Sequence, residues 1–426
     1  MGQTRVKNKI HHAWFILAAC CSFFGAMMGI CSNCGGIFTP AICSDLGWSL
    51  SKLNSAGIVN GGTAILMLFV VDKIYRKYNT KLVLALMAFI YSGCYILRGL
   101  CHTYLDFVLV NIVMGGSSAF LFYVPVPMLI NAWFEEKRGT AMGIAMLSSG
   151  IMGALFNPVL NHFILQNGWR VASFINGIIA MVVSVPMILL FIVRKPQDMG
   201  LLPYGAREKE AAEEETSGSN RVVNHEARDY VRIPVSEKKK KFKFCFVLSI
   251  ITLVVSITPG NLPYFAAEIG LSSTTGAALL SASLFGNMAS KFILGIVSDK
   301  FGPRTTWLCS ITIVIPALFI LLNKSAPLAL LFAAAFINGT TAANNTMVVP
   351  SIISTFSSGE EYAKFISRCS IGTMIASTFG GTIVSLIHDS CGSFYPVFVL
   401  FIVLSLISIG IILYLLPAKK AAKAAL

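Results

Sequence analysis

Charged residues are scarce in this chain. Asp, Glu, Lys and Arg together make up 12% of its 426 residues, whereas an ordinary soluble domain carries about 25%. This deficit excludes a soluble enzyme, a disordered chain and a nucleic-acid-binding protein. Hydrophobic residues make up 55% of the chain, and the mean hydropathy is +0.74. The sequence is therefore that of a polytopic membrane protein, with the lipid bilayer as its main partner.

The sequence also lacks the residue patterns of several kinds of site. No Gly-Lys-Ser or Gly-Lys-Thr phosphate-binding loop is present, which argues against ATP-driven transport. Cys31 and Cys34 have the spacing of half a zinc site, but no second pair and no nearby histidine complete it. The six histidines are scattered along the chain. We expect no metal, no cofactor and no enzymatic activity.

Twelve apolar runs are long enough to cross a bilayer, whose hydrocarbon core of roughly 30 Å needs about 20 helical residues. They divide into two sets of six, which predicts an all-α membrane protein of twelve transmembrane helices in two six-helix halves. The predicted spans are residues 13–40, 52–71, 80–100, 104–132, 139–165, 170–193, 244–267, 273–297, 304–323, 327–350, 362–387 and 393–416.

A polar stretch separates the two sets of spans. Residues 194–243 include three consecutive glutamates at 213–215 and four consecutive lysines at 238–241. Such a composition cannot bury a core, so the stretch is predicted to be a flexible linker. The predicted domains are an N-terminal bundle at 1–193, a charged cytosolic linker at 194–243, and a C-terminal bundle at 244–426 that ends in a short basic tail.

The positions of the positive charges predict the orientation in the membrane. Most of the 33 lysines and arginines fall in segments that lie on one side of the bilayer if both termini are cytosolic. Cytosolic loops of membrane proteins carry such an excess of Lys and Arg. The expected location is the plasma membrane, with multiple spans and with the N- and C-termini in the cytosol.

One loop motif occurs in both halves. The loop at residues 295–304 reads Gly-Ile-Val-Ser-Asp-Lys-Phe-Gly-Pro-Arg, and residues 72–77 read Asp-Lys-Ile-Tyr-Arg-Lys. The first resembles the loop motif of the major facilitator superfamily, whereas in the second Leu68 and Tyr75 replace two expected glycines. The resemblance implies two six-helix repeats that rock around a central site. It also implies that charges at the helix ends form ion pairs in one conformation only. The gating candidates are Asp72, Arg76, Arg138, Asp299, Lys300 and Arg304.

A second stretch is more specific. Residues 131–143 read Asn-Ala-Trp-Phe-Glu-Glu-Lys-Arg-Gly-Thr-Ala-Met-Gly, and Leu46-Gly47-Trp48-Ser49 precedes the second span. Both stretches resemble the oxalate/formate antiporter family and the related monocarboxylate porters. This resemblance implies a secondary carrier of small organic anions.

Lys291 is the cation that lies inside a predicted span. A lysine near the middle of a membrane costs about 2.5–3.5 kcal/mol to insert and by default marks a functional site; the alternative is snorkelling toward the interface. Family members that handle carboxylates are similar in placing a basic residue in the eighth helix at this position. Oxalate-handling members have a second cation where this chain has Thr373, which favours a monocarboxylate here. Some proton-coupled members have an Asp where this chain has Asn287, so proton symport and anion exchange both stay open.

Other polar residues are candidates for lining the substrate site. Tyr123 and Tyr264 lie beside prolines that free backbone carbonyl groups. Asn33 is a further candidate, with hydrogen bonding between helices as the alternative use. Arg98 lies near the outer end of the third predicted span and is interpreted as an interfacial residue, with guidance of an anion into the vestibule as the alternative.

These observations predict a secondary active transporter that moves a small organic anion, with a monocarboxylate favoured, by alternating access. The substrate-binding candidates are Lys291, Tyr123, Tyr264, Asn287, Asn33 and Thr373. The expected partners are the anion, the bilayer and either protons or a counter-anion; no nucleic acid is expected, and the protein is expected to be a monomer. The alternative is an exporter of a drug or a neutral metabolite, in which Lys291 is structural.

Overall fold

The computed structural model describes residues 11–122, 124–206, 235–323, 325–344, 349–353, 356 and 359–416. These residues form helices joined by short connections, with one isolated β-bridge between Phe134 and Tyr204. Nine helical stretches among them are long and apolar enough to cross a membrane. The predicted all-α class is confirmed.

The helices group into twelve segments. In the N-terminal half they are α1 (His12–Leu46, with a π-helical part at Gly25–Asn33), α2 (Leu50–Lys77), α3 (Thr80–Arg98), α4 (Tyr104–Phe122 and Pro125–Trp133), α5 (138–167) and α6 (169–191). In the C-terminal half they are α7 (Val235–Val255 and Thr258–Glu268), α8 (273–301), α9 (303–321), α10 (Leu328–Asn338, Thr340–Ala343 and Val349–Ile353), α11 (Gly359–Cys391) and α12 (Tyr395–Leu415).

Two of the connections consist of a single residue. Gly168 joins α5 to α6 with φ 80°, and Gly302 joins α8 to α9 with φ 77°. Both values lie in the left-handed region, which glycine adopts without steric cost. Gly302 is the second glycine of the loop motif at residues 295–304, so the motif supplies the turn between two antiparallel helices.

The connections lie at two ends of the bundle. We call one the Trp133 end, where the Trp133 indole N–H donates to the carbonyl of Val193 at 2.8 Å. We call the other the Trp169 end, where the Trp169 indole N–H donates to Asp45 Oδ2 at 2.9 Å. Each half has its own hydrophobic core. Ala277, Leu280 and Leu284 of α8 are buried in the core of the N-terminal half, so the two halves pack directly against each other.

Several helices extend beyond the spans that hydropathy predicts. α2 continues to Lys77, and α7 begins at Val235, inside the stretch that the sequence assigned to the linker. Residues 195–206 of that stretch pack against the N-terminal half. Tyr204 donates its N–H to the Trp133 carbonyl at 2.9 Å, and its ring contacts Trp14 and Phe134. Residues 207–234 lie outside the described part of the chain.

Two adjacent glycines of α4 provide a test of the packing. A Cβ atom added at Gly115 would overlap the carbonyl oxygen of Asn60 and Thr63 Oγ1 on α2, whereas one added at Gly116 would meet only Met67 Cγ, at 3.8 Å. We expect Gly115→Ala to lower the free energy of unfolding by about 1–3 kcal/mol, as overpacking of a close contact does. Gly116→Ala is the matched control. Thermal unfolding of the two purified variants measures the difference, and equal melting temperatures would contradict the packing of α2 on α4.

Candidate functional site

A cavity of about 300 Å³ lies between the two halves, toward the Trp169 end. Helices α1 to α4 line it from the N-terminal half, and α7 and α11 line it from the C-terminal half. Phe107 and Met114 form part of its apolar wall, and five of its lining residues are glycines. A cavity that both halves share is the expected location of a site whose access changes when the halves move.

Arg98 is the charged residue of this cavity. Its guanidinium lies over the rings of Phe38 at 5.5 Å and Tyr95 at 6.0 Å. Its Nε is buried without a hydrogen-bond partner, and in the described part of the chain no carboxylate lies within ion-pair distance of it. A buried cation that has no counter-charge is costly. The cavity therefore favours an anionic occupant.

Arg170 shows how an arginine at the same end is used structurally. Its guanidinium pairs with Asp45 Oδ2 at 3.4 Å and donates to the carbonyl of Cys101 at 2.6 Å. The two arginines thus differ in their partners: Arg170 is compensated by protein groups, and Arg98 has aromatic rings on one side and the cavity on the other.

Three asparagines also line the cavity. Asn111 Nδ2 donates to the Phe107 carbonyl at 2.8 Å, and Asn261 Nδ2 donates to the Ile257 carbonyl at 3.2 Å. Asn54 Nδ2 donates to Ser385 Oγ of the other half. An amide nitrogen carries two N–H groups, so each of these side chains keeps a second donor for a bound solute.

A second cavity, of about 200 Å³, shares Ser32 with the first. It lies between α1, α2, α4 and α11, and Asn60, Ser118 and Thr378 contribute polar groups to its wall. The two cavities follow one another along the boundary between the halves, so together they mark a polar route through the bundle.

The halves are in contact at the Trp169 end. A Cβ atom added at Gly36 of α1 would lie 2.5 Å from the carbonyl oxygen of Gly260 on α7, so the two backbones touch. Hydrogen bonds cross the boundary at the same end: Ser51 N–H donates to Asp389 Oδ2 at 2.8 Å, and Ser273 Oγ donates to Asn161 Oδ1 at 2.7 Å. These contacts bring the two halves together on the Trp169 side of the cavity.

Lys291 lies on α8 between the middle of the bundle and the Trp133 end. It follows Met288 by three residues and therefore shares its helix face, and Met288 packs at Gly150 of α5. Lys291 is half-buried and is not part of the wall of either cavity. Asn287 is half-buried on the same helix, its Oδ1 lacks a partner, and its backbone lies against Gly339 of α10.

The remaining substrate candidates are spread over the bundle. Asn33 Nδ2 donates to the Ser149 carbonyl at 3.2 Å, which is a contact between α1 and α5. The Tyr264 ring packs against His388 at the Trp169 end, with a centroid distance of 5.3 Å. Thr373 is half-buried on α11, one residue before Met374 in the wall of the second cavity. Tyr123 lies outside the described residues.

The gating candidates all lie at the Trp133 end, at helix termini. Arg76 and Lys300 are exposed, and Arg304 is half-buried. The side chains of three others are outside the described part of the chain: Asp72, Arg138 and Asp299.

The structure changes the interpretation of Arg98. Its place two residues before the end of the predicted third span favours an interfacial residue, with guidance of an anion into the vestibule as the alternative. The structure places its side chain in the wall of the cavity. Tyr91 and Tyr95 lie seven and three residues earlier on the same helix and are both buried. An arginine on the same helix face as two tyrosines was the available signal that this face is turned inward.

Comparison with known proteins agrees with this architecture. A family model described as Major Facilitator Superfamily matches residues 15–235 and 244–426. The MFS-type transporter pynF of Aspergillus niger is 22% identical over 406 residues, which cover 91% of this chain and 86% of pynF. A probable L-galactonate transporter of Escherichia coli is 32% identical over 116 residues, which cover 27% of this chain and 25% of that protein.

A solved structure of similar fold is that of a bacterial homologue of the human lysosomal transporter Spinster, in an inward-facing and occupied conformation. It superimposes with a TM-score of 0.69 at 14% identity, and the match covers 96% of this chain and 97% of that one. At this identity the likeness concerns the fold alone.

Proposed function

Since this chain belongs to the Major Facilitator Superfamily and is a secondary transporter, we propose that it carries a small organic anion, with a monocarboxylate as the substrate class. The observation that supports this most strongly is the uncompensated guanidinium of Arg98 in the wall of the cavity between the halves. An anionic solute supplies the counter-charge that no described residue provides there.

The number of cations favours a single negative charge on the solute. In the described residues, Arg98 is the one cationic side chain in the walls of the two cavities. A guanidinium can bind a carboxylate through two parallel N–H donors, and the second amide donors of Asn111 and Asn261 are available for further polar groups. L-galactonate, which the name of the E. coli relative specifies, is a monocarboxylate with several hydroxyl groups, and such a solute fits this wall.

The transport cycle follows from the contacts between the halves. They close the Trp169 end in the described conformation, and alternating access requires that they break when the Trp133 end closes. In our proposal the Trp133 end faces the cytosol of a plasma-membrane protein, with both termini on that side, so that the described conformation is inward-facing. The gating candidates at the Trp133 end then form their ion pairs in the opposite conformation.

Uptake into proteoliposomes tests the substrate class. Labelled formate, lactate, pyruvate, galactonate and oxalate are supplied together with labelled uridine as a neutral solute. The proposal predicts uptake of at least one monocarboxylate and of neither oxalate nor uridine. An inward proton gradient and an internal counter-anion, applied separately, distinguish proton symport from exchange. Uptake of the neutral solute alone would contradict the proposal and favour the alternative in which the carrier exports a neutral compound.

Lys291 is predicted to contribute a second cation along the route to the Trp133 end. Lys291 lies on the face of α8 that packs on α5, outside the walls of both cavities. We therefore expect Lys291→Gln to slow uptake by about tenfold. The same variant is expected to leave binding of the anion from the Trp169 side intact. Uptake rates of wild type and variant at equal protein content measure the effect, and an unchanged rate would show that Lys291 is structural.

A further inference from the structure

The Asn157 side chain lies on α5, outside the walls of both cavities. It is completely buried, and in the described part of the chain neither its Nδ2 nor its Oδ1 has a hydrogen-bond partner. The large majority of buried side-chain polar groups in proteins are hydrogen-bonded. Asn157 is therefore an exception, in which both the donor and the acceptor of one amide are unpaired.

Contacts on either side of Asn157 place it at the boundary between the two halves. One turn earlier on α5, the Ala154 carbonyl accepts the Ser281 hydroxyl of α8 at 3.1 Å. One turn later, Asn161 Oδ1 accepts the Ser273 hydroxyl of α8 at 2.7 Å. Residues 154, 157 and 161 are three and four positions apart and therefore share one face of α5. Asn157 is thus enclosed where the N-terminal half packs on the C-terminal half.

The part of α8 between these two contacts offers the amide no polar side chain from its buried positions. Those positions are Gly276, Ala277, Leu279 and Leu280. The backbone groups in the middle of both helices already bond within their own helix. When α5 and α8 pack together, the amide therefore loses its hydrogen bonds to water and gains none in return, and burial of an unpaired polar group is unfavourable.

This cost depends on the conformation. The contact between Asn161 and Ser273 lies on the Trp169 side of Asn157, at the end where the halves meet. Parting of the halves at this end separates α5 from α8, so water reaches the Asn157 amide and restores its hydrogen bonds. An interaction that differs between two conformations shifts the equilibrium between them by that difference in free energy.

We propose that Asn157 sets the balance between the two conformations of the carrier. Its unpaired amide destabilises the conformation in which the Trp169 end is closed, and so it opposes the contacts that α1, α2 and α5 make across the boundary. A carrier must visit both conformations in each cycle, and this opposition keeps the open Trp169 end accessible. The inference rests on the alternating-access cycle of the proposed function but not on the identity of the solute.

Distances between spin labels across the Trp169 end test this inference. Labels are attached to genetically encoded residues at the exposed positions Leu100 and Thr274, one in each half, and the protein is placed in lipid nanodiscs without solute. Asn157→Leu replaces the amide with an apolar side chain of similar size, so we expect the ratio of short to long distances to rise by about tenfold. Asn157→Ala removes the amide without adding bulk and is expected to raise the ratio by a smaller factor.

The same two substitutions are also made in the Gly36→Ala background. The methyl group added at Gly36 overlaps the Gly260 carbonyl oxygen and opposes closure, so a rise in the ratio can be measured even where the wild type is almost fully closed. In this background Asn157→Leu is expected to restore part of the short-distance population.

Asn176→Leu is the matched control. Asn176 of α6 is also completely buried, and its Nδ2 is unpaired; its Oδ1 accepts the Cys31 thiol of α1 at 3.7 Å. Because α1 and α6 belong to the same half, the surroundings of Asn176 stay the same when the halves move, and we expect the wild-type ratio.

Two outcomes would overturn the inference. One is a ratio that Asn157→Leu and Asn157→Ala leave unchanged or lower in both backgrounds. The other is a rise in Asn176→Leu as large as that in Asn157→Leu. Because no solute is present, failure of anion uptake would leave this result unaffected.

Discussion

Replacing Arg98 with glutamine is expected to lower uptake of the carried anion by at least about 30-fold. Removing one partner of a buried, hydrogen-bonded charge pair costs about 2–5 kcal/mol, and 2 kcal/mol corresponds to roughly 30-fold in affinity. Arg98→Lys retains the charge but loses the planar pair of donors, so we expect uptake between those of the glutamine variant and wild type. Initial uptake rates in proteoliposomes, at equal amounts of reconstituted protein, measure the series.

Lys52→Gln is the matched control for this series. Lys52 is a cation at the same end of the bundle, but it is exposed and lies over the Trp48 ring, outside the cavity. The control is expected to transport at the wild-type rate. Equal rates for Arg98→Gln and Lys52→Gln would contradict the assignment of Arg98 as the charge partner of the anion.

Gly36→Ala is expected to prevent the Trp169 end from closing. The added methyl group would lie 2.5 Å from the Gly260 carbonyl oxygen, and an overlap of this kind costs about 1–3 kcal/mol. The cost arises only in the conformation in which α1 touches α7, so the equilibrium is expected to shift toward the open end by about 5- to 150-fold. The distance between spin labels at the exposed positions Leu100 and Thr274, one in each half, measures the shift, and the uptake rate is expected to fall with it.

The neighbouring residue provides the control. Gly35 also lines the cavity, but a Cβ atom added there meets nothing within 4 Å. Gly35→Ala should therefore close as wild type does. If the two alanine variants showed the same label distances, the contact between α1 and α7 would not be what closes this end.

Hydropathy predicted the class, the grouping of the helices and the approximate position of each span, because the bilayer selects long apolar segments. It did not predict where the helices end. α2 runs six residues past its predicted span to Lys77, since a helix ends where the backbone finds a cap or a turn and not where the apolar core ends. Residues 195–206 pack on the Trp133 end although their composition resembles a linker, because the Tyr204 ring contacts Trp14 and Phe134.

The site was harder to predict because it depends on which helix faces meet. Lys291 was identified from the sequence because it is the cation that lies within a predicted apolar span. Its role in binding the substrate stays a prediction. The position of Arg98 in the cavity wall depends on the packing of α3 against α1, whose Phe38 ring lies under the guanidinium, and a single sequence does not reveal that packing. The contact between His388 and Glu268 depends on the pairing of the ends of α7 and α11, which are 120 residues apart in the chain. Scattered histidines in a sequence therefore gave no indication of it.

The most direct test of the central claim is anion-dependent thermal stabilisation of the purified protein. A solute that binds the folded state raises the melting temperature by an amount that grows with the ratio of its free concentration to its dissociation constant. We predict that at least one monocarboxylate among formate, lactate, pyruvate and galactonate raises the melting temperature of wild type and of Lys52→Gln. The same anion should leave the melting temperature of Arg98→Gln unchanged, and uridine should leave all three unchanged. Equal stabilisation of wild type and Arg98→Gln by the anion, or stabilisation by uridine alone, would contradict an anion site at Arg98.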